Sequence, residues 1–590
     1  MTVHRRLPLL SLLIAGALGA APAQANHGAP LSTFGTNGTS ITDLAGGGES
    51  ISDVVVDTVP VFTRAPSGST FCAKGSDCTI VSGFRTVLLA AGIDRSLSDA
   101  AFAVERFDAN GILDASFGSG GRVRTPFDAG PASAAGIAVM PDGRFVAAGD
   151  IDIGGSQGEL VAIARYRADG SLDTTFGGDG KVNARFPNAE HFTVSAVALQ
   201  SDGRIIVGGT VATAGGDSAF GLMRFTTTGA VDTTYGTLRN GVETTTSLQQ
   251  FNTAGNHAAT LNDILVDPLD RIVAVGDMAL FGGFRAFAAV RYVPDGRRNA
   301  DFSGDGIVTL NVPGTFVETA EAVVRQSDDG KLVLGGWGNV RLSDGRIRSR
   351  MVAARFTGTG TLDTTFTSNG FSVDQLSGEG FYETHALFYD PQRKTILAGG
   401  FARPDSQASA GDQFAFIRYG STGFPDTLFD GDGRMLQNLT SQNDRVNAIV
   451  GLPGGTLVAG GLANESVGTP GSSMLALGGY HGDRDRLAPG LRGAVRAQRL
   501  ADVRRRNRLS VDVALTEPGA VRATALSGGR VLGAVDVAFS AAGKRTATIA
   551  LTTRGRQALA GRRRARVVVR LAGRDQHGNR VTRRVMRLLR

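Results

Sequence analysis

The stretch Ala198-Leu-Gln-Ser-Asp-Gly-Arg-Ile-Ile-Val-Gly-Gly209 decides the fold. Two apolar runs flank Asp202-Gly203, a pair that tolerates the left-handed dihedrals of a tight turn, so the spacing predicts a two-residue β-hairpin. Asp142-Gly143 and Asp329-Gly330 repeat the signal, whereas Asp270 and Arg393 stand where the turn glycine is expected. Outward from the hairpin, the unit reads as four short β-patterned runs: Lys181 to Phe186 (a), Ser195 to Leu199 (b), Ile205 to Gly208 (c) and Ala219 to Phe225 (d). The phrase returns at Ile137 to Gly149, Ile264 to Gly276, Val323 to Gly336, Leu387 to Gly400 and Ile449 to Gly461, and in stretched form at Val54 to Gly92.

A second marker gives the period. Arg106, Arg165, Arg224, Arg291, Arg355 and Arg418 lie 59, 59, 67, 64 and 63 residues apart, and Gly479-Tyr480 holds a seventh place without the arginine. Four antiparallel strands in each of seven units is the arithmetic of a seven-bladed β-propeller, in which radial closure leaves only short, protected edges. An open solenoid would use shorter repeats and need capping units, which are not evident.

The phrase ending at Gly209, with Arg165-Tyr-Arg-Ala-Asp-Gly-Ser-Leu-Asp-Thr-Thr-Phe-Gly177 in the preceding unit, resembles the delta-60 repeat family of bacterial β-propellers over residues 31 to 481. That resemblance implies an exported or surface-associated propeller and supplies no catalytic residues.

The ends of the chain differ from its middle. His4, Arg5 and Arg6, the apolar run Leu7 to Leu18 and the small-x-small site Ala23-Gln24-Ala25 read as a signal peptide over residues 1 to 25, so a secreted or cell-surface location is expected. No later stretch of 18 apolar residues would form a transmembrane segment. Export makes Cys72 and Cys78, spaced around a central Gly, an expected disulfide. The net charge of +7 hides a split: residues 484–590 carry 26 Lys+Arg against 6 Asp+Glu, while residues 26–483 carry 33 against 48. A shift this sharp marks a domain boundary near Leu487-Ala488-Pro489-Gly490, with the propeller spanning residues 26–483.

The basic segment, residues 484–590, alternates in the β manner at Leu509 to Leu515, Ala520 to Leu526, Thr546 to Leu551 and Arg566 to Leu571, which predicts a small Ig-like β-sandwich. Its arginine clusters, among them Arg504 to Arg506 and Arg562 to Arg564, suit an anionic cell-envelope polymer. Nucleic acid is not expected, because Phe539 is the single aromatic residue there and base stacking needs more.

A residue required once per unit is normally architectural. Asp114, Asp173, Asp232, Asp301, Asp363 and Asp426 follow the repeated arginines and are expected to bond their own turns, with each Arg tying neighbouring connections. The Gly/Asp turns at Asp179, Asp305, Asp430 and Asp432 are turns before they are calcium ligands, since the EF-hand spacing and its distal Glu are absent. Variable a–b and c–d loops share one face, where repeat proteins place binding sites. The candidate residues on that face are Glu190, His191, Phe192, His257, Phe284, Trp337, Phe381, Tyr382, Glu383 and His385, with Phe251 and Phe316 beside them. No cofactor motif occurs, no metal set is expected, and the chain is expected to be a monomer.

The sequence therefore points to an all-β protein, a seven-bladed β-propeller followed by an Ig-like sandwich, acting in non-catalytic recognition or adhesion at the bacterial envelope. The alternative is an extracellular glycan hydrolase or lyase. A catalytic site would break the seven-fold pattern with acidic or His groups converging near the axis.

Overall fold

The computed structural model describes residues 34, 39–42, 50–64, 79–95, 100–154, 158–212, 216–236, 238–239, 242–243, 246–251, 258–405, 411–440, 443–453, 455–464, 473–481, 491–515, 519–539, 543–575 and 580–589. The signal segment, Cys72, Cys78, His257 and the expected linker Leu487 to Gly490 lie outside them.

Among the described residues the repeats form seven four-stranded antiparallel sheets. Each begins with a strand of b type: Ser50–Arg64, Ala132–Val139, His191–Leu199, Ala259–Val266, Glu318–Arg325, Gly380–Asp390 and Arg445–Gly451, numbered here as sheets 1 to 7. These first strands pack against one another in cyclic order, sheet 7 returning to sheet 1. The apolar cores follow the same ring. Phe145 and Leu89 pack between sheets 1 and 2, Val207 and Val146 between sheets 2 and 3, and Val458 and Leu88 between sheets 7 and 1. Each sheet buries both faces, so its second and third strands read as nearly continuous apolar runs rather than strict alternation.

Sheet composition differs from the expected grouping by one strand. Run a of each unit hydrogen-bonds to run d of the unit before it: Lys181–Ala184 pairs with Glu159–Tyr166, completing sheet 2 rather than opening sheet 3. The order is therefore b-c-d-a, and the a–b connection passes between sheets. At the N-terminus the a strand, Thr39–Thr42, pairs with Ser473–His481 and completes sheet 7. The earliest strand thus closes a sheet whose other strands come from the end of the repeats, a ring closure that an open solenoid lacks.

The b–c turn is also one residue longer than expected. Gln200 N–H donates to Arg204 O and Gly203 N–H to Gln200 O, leaving a three-residue loop in which Gly203 alone has positive φ, at 85°. This is a type I turn followed by a left-handed residue, not the two-residue form that needs positive φ twice. Asp270 takes the glycine's place at φ 58°, and in sheet 6 Lys394, not Arg393, does so at φ 57°.

The basic segment forms a three-stranded sheet and a four-stranded sheet around one apolar core, which includes Val511, Ile549, Val521, Val567 and Leu571. Two seven-residue helices, Leu500–Arg506 and Thr553–Leu559, accompany the sheets and are not evident in the β-alternating pattern. Thr552 caps the second through its side chain, which accepts from Gly555 N–H. Among the described residues no helix is long and apolar enough to cross a membrane.

Candidate functional site

Every first strand carries a β-bulge at the same height, and the reason is written in the second strand. The bulge turns a carbonyl of the first strand onto the neighbouring c strand. In sheet 3 a Cβ at Gly209 would collide with Thr193 O, and in sheet 6 one at Gly400 would collide with Glu383 O. The same collision is repeated at Gly92, Gly149, Gly276, Gly336 and Gly461. The recurring second glycine of each repeat is thus the complement of the bulge. The bulged residues are Ser52, Ala135, Ser195, Asn262, Glu321, His385 and Asn447. All seven line a cavity of about 440 Å³ enclosed by the seven first strands, on the axis of the ring.

Three of the seven bulge side chains, and two aspartates beside the ring, are structural. Ser195 Oγ donates to Leu261 O of the next sheet at 2.6 Å, Asn262 Nδ2 to Ala320 O at 2.9 Å and Asn447 Nδ2 to Ile51 O at 2.7 Å. Asp53, beside Ser52, accepts N–H bonds from Val54 at 2.8 Å and from Ile137 of sheet 2 at 3.0 Å. Asp263 accepts from Ile264 at 2.7 Å and from Val323 of sheet 5 at 2.9 Å. Burial pushes the Asp53 carboxyl up to about 6 against those two N–H bonds. It pushes Asp263 up to about 7, where the charge of Asp53 adds to the effect. Asp150, on a second strand, bridges to Val194 N–H of sheet 3 at 2.8 Å and is raised to about 7, again chiefly by burial.

Sheets 5 and 6 depart from this pattern. Glu321 Oε1 accepts from Trp337 Nε1 at 3.0 Å within its own sheet, and no hydrogen bond joins its carboxylate to the next sheet among the described residues. Burial raises its pKa, opposed by the charge of His385 and the Trp337 N–H and reinforced by the charges of Asp277 and Glu383. His385 Nε2 stands 3.5 Å from Glu383 Oε2, within ion-pair range, yet is buried without a hydrogen bond. The Phe401 ring lies 5.8 Å from the imidazole. Asp277 is held by Arg285. Glu321 and His385 therefore line the axial cavity from adjacent sheets, with Trp337 bonded to the first and Glu383 beside the second. Among the described residues no three His, Cys, Asp or Glu groups are placed to hold a metal ion.

The expected candidates divide accordingly. Trp337, Glu383 and His385 come together, and all three lie within strands rather than in the variable loops. His191 also lies in a strand, at its outer end, where Nδ1 is 3.1 Å from Glu159 Oε2 in an exposed pair away from the axis. Glu190 beside it is exposed. Phe192 and Tyr382 are buried core residues, Phe192 stacking on Phe186 at 4.6 Å, so neither offers a binding surface. Phe251 is likewise buried against Phe220. Phe381 is covered by Arg348 at 4.9 Å, and Phe284 is exposed beside Phe316. Glu321, Asn262, Asn447, Ser52, Asp53 and Asp263 are not marked by any motif in the sequence. Their signal is the c-strand glycine, which lies 14 or 15 residues after the bulge residue in sheets 2 to 7.

The repeated arginines behave as architecture. Arg224 Nε is 2.9 Å from Asp232 Oδ2, Arg224 Nη1 donates to Pro294 O of the next unit at 2.7 Å, and the guanidinium lies 4.7 Å from the Tyr235 ring. The Arg–Asp pair recurs at Arg106–Asp114, Arg165–Asp173, Arg355–Asp363 and Arg418–Asp426. In sheet 4 the expected Asp301 is out of register. Asn299 holds the place, and its Oδ1 accepts from Asp301 N–H. The Gly/Asp turns close on themselves: Asp179, Asp305 and Asp432 each accept the N–H two residues on.

The fold defines a class, that of the β-propeller repeat proteins. The family model described as "Domain of unknown function (DUF5122) beta-propeller" matches residues 141–176, 200–235 and 328–366. Among solved structures, a protein of unknown function from Dyadobacter fermentans is 12% identical, covering 60% of this chain and 95% of that one, with a TM-score of 0.34. An ulvan lyase of a polysaccharide lyase family is 9% identical over 66% of this chain and 90% of its own, with a TM-score of 0.36. A putative exo-β-1,3-galactanase from Bifidobacterium bifidum is 8% identical over 49% and 88%, with a TM-score of 0.25. No curated protein matches the chain.

Proposed function

We propose that this protein is a secreted, seven-bladed propeller of the delta-60 type that recognises a small polar group, such as the end of a glycan, in its axial cavity. The Ig-like basic module, residues 484–590, would hold it at an anionic envelope surface. The observation that carries the reading is the break in the axial ring at sheets 5 and 6. In sheets 3, 4 and 7 the bulge side chain staples the ring to the next sheet. Glu321 and His385 instead line the cavity from adjacent sheets, close enough for the imidazole to act on the glutamate's charge, and His385 Nε2 is buried without a hydrogen bond. The lining contains carboxylates, a histidine, asparagines and serines, and no Lys or Arg. Such a lining favours hydroxyl-rich or cationic groups and disfavours uronates or sulfated sugars, whose charge would meet carboxylates.

The test is binding of neutral, amino-substituted and uronate oligosaccharides to the full exported chain by calorimetry. A neutral or amino-substituted glycan should bind, and Glu321→Gln with His385→Ala should weaken it at least ~10-fold, the value of one or two lost polar contacts. Retention of full affinity by that double variant would remove the axial site from the reading.

A second reading, hydrolysis of a glycosidic bond, is supported by the same convergence of Glu321, Glu383 and His385. A buried glutamate with a raised pKa suits a general acid, and a second carboxylate suits the base or nucleophile. New reducing ends that form with the parent chain and vanish with both Glu321→Gln and Glu383→Gln would establish catalysis over recognition. Binding without turnover would leave recognition.

A further inference from the structure

The four-stranded sheet of the basic module has an outer face unlike that of an ordinary solvated sheet. Its strands lie in the order Arg530–Phe539, Gly519–Ser527, Ala565–Asp575, Arg580–Leu589. Val567, Val569 and Leu571 point into the core. The alternate residues point out, because successive side chains of a strand face opposite ways. Register places Arg570 directly opposite Arg584, with Val568 opposite Met586 and Arg566 opposite Leu588 in the next two rows. Arg566, Arg570 and Arg584 are exposed. Met586 is 65% and Leu588 45% exposed.

Two features of this face call for an external partner. Like charges directly opposite on one sheet face repel, and among the described residues neither Arg570 nor Arg584 has a carboxylate partner to offset that cost. Charges on an edge strand protect it from pairing with other strands, which accounts for arginines but not for a neighbouring exposed Met and Leu. A soluble polyanion would satisfy the arginines and leave Met586 and Leu588 in water. An anionic bilayer satisfies both: phosphates meet the guanidiniums, and the apolar pair enters the boundary between headgroups and acyl chains.

We propose that the outer face built around Arg570, Arg584, Met586 and Leu588 docks on an anionic phospholipid surface. This deepens the tether reading above and rests on it.

The experiment is co-sedimentation of the full exported chain with vesicles of pure phosphatidylcholine or of phosphatidylcholine with phosphatidylglycerol, beside binding to dextran sulfate as a soluble polyanion. The parent should sediment with the anionic vesicles only. Arg570→Ser with Arg584→Ser should weaken vesicle binding roughly 30-fold, from the per-arginine contribution near an anionic surface. Met586→Ser with Leu588→Ser should weaken vesicle binding roughly 10-fold and leave dextran sulfate binding unchanged. Equal vesicle binding by the Met/Leu variant and the parent, or binding to dextran sulfate without binding to vesicles, would overturn the lipid proposal and keep a polyanion tether. Binding to neither probe would overturn the tether itself. All the substituted residues are exposed, and melting curves matched to the parent check that each variant folds.

Discussion

The outer girdle of Arg–Asp pairs and the inner ring of bulge residues are both repeated once per sheet, yet they have diverged to different extents. In the girdle, five of the six repeated arginines meet an aspartate eight residues later, and the sixth meets asparagine in the same register. In the ring, the seven equivalent positions hold Ser, Ala, Ser, Asn, Glu, His and Asn. Both positions are held by the same kind of local constraint, a turn in one case and a bulge opposite glycine in the other. What differs is the burden on the side chain. A buried guanidinium is costly without a partner, so the pair recurs in five of the six sheets, while among the described residues Arg291 keeps only the bond from its Nη1 to Gly358 O of the next unit and leaves Nε without one. A bulge residue on the axis faces a cavity and is free to change: in sheets 3, 4 and 7 it staples the ring, and in sheets 5 and 6 it brings a carboxylate and an imidazole to the lining.

The comparison can be broken by substitutions at each position, and the largest effect is expected in the girdle. Arg224→Ala takes from buried Asp232 its buried guanidinium, leaving only the half-exposed Arg204 at 3.6 Å, and also removes the bond to Pro294 O, so it should cost about 3 kcal/mol in urea unfolding. A loss within the error of the measurement would place the girdle with the replaceable surface pairs. Gly209→Ala forces the bulge in sheet 3 to move and should cost about 1–3 kcal/mol, the range for overpacking. If it were tolerated without cost, the bulge would not depend on the glycine.

A smaller effect comes from pH. Asp53, Asp150 and Asp263 titrate at about 6, 7 and 7 in the folded chain, well above an unfolded aspartate. The native state therefore binds more protons than the unfolded one between pH ~4 and ~7, and stability falls as pH rises through that window. The girdle aspartates act in the opposite direction. Burial alone would raise the Asp232 carboxyl, but its Thr234 bonds and the arginine charges hold it below the usual value, so its contribution is present at neutral pH and lost under strong acid. The melting temperature should therefore be highest near pH ~4 and fall by a few degrees toward pH ~7. The triple variant Asp53→Asn, Asp150→Asn, Asp263→Asn should flatten that limb, and an unchanged slope would show that these carboxyls ionise normally. The smallest effect on stability is expected from Glu321→Gln, which keeps an acceptor for Trp337 and should shift unfolding by no more than about 0.5 kcal/mol while weakening glycan binding.

Much of the fold was legible in the sequence, and the candidate site only in part. Strands b, c and d of each unit follow from their apolar runs, and the girdle from the period of its arginines. The pairing of strand a with the preceding unit was not legible, because strand periodicity does not name a partner: Lys181–Ala184 reads the same whichever neighbour it joins. The loop face drew attention through histidines and aromatics near variable loops, and it gathered Phe192 and Tyr382, which the fold buries. Glu321 carries no motif, since it lies inside a strand among small and apolar residues.

The sequence by itself determined that the chain repeats, that each repeat is a set of short antiparallel strands, and that a basic segment follows an acidic one. Local dihedral preference, side-chain period and charge are all readable along a chain. Only the tertiary structure decided which strand faces the axis and which residues meet there. Ring closure brings Glu321 and His385 from adjacent units, 64 residues apart, onto one cavity. That convergence depends on a bulge whose sequence trace, a glycine on the neighbouring strand, becomes readable once the strands are paired.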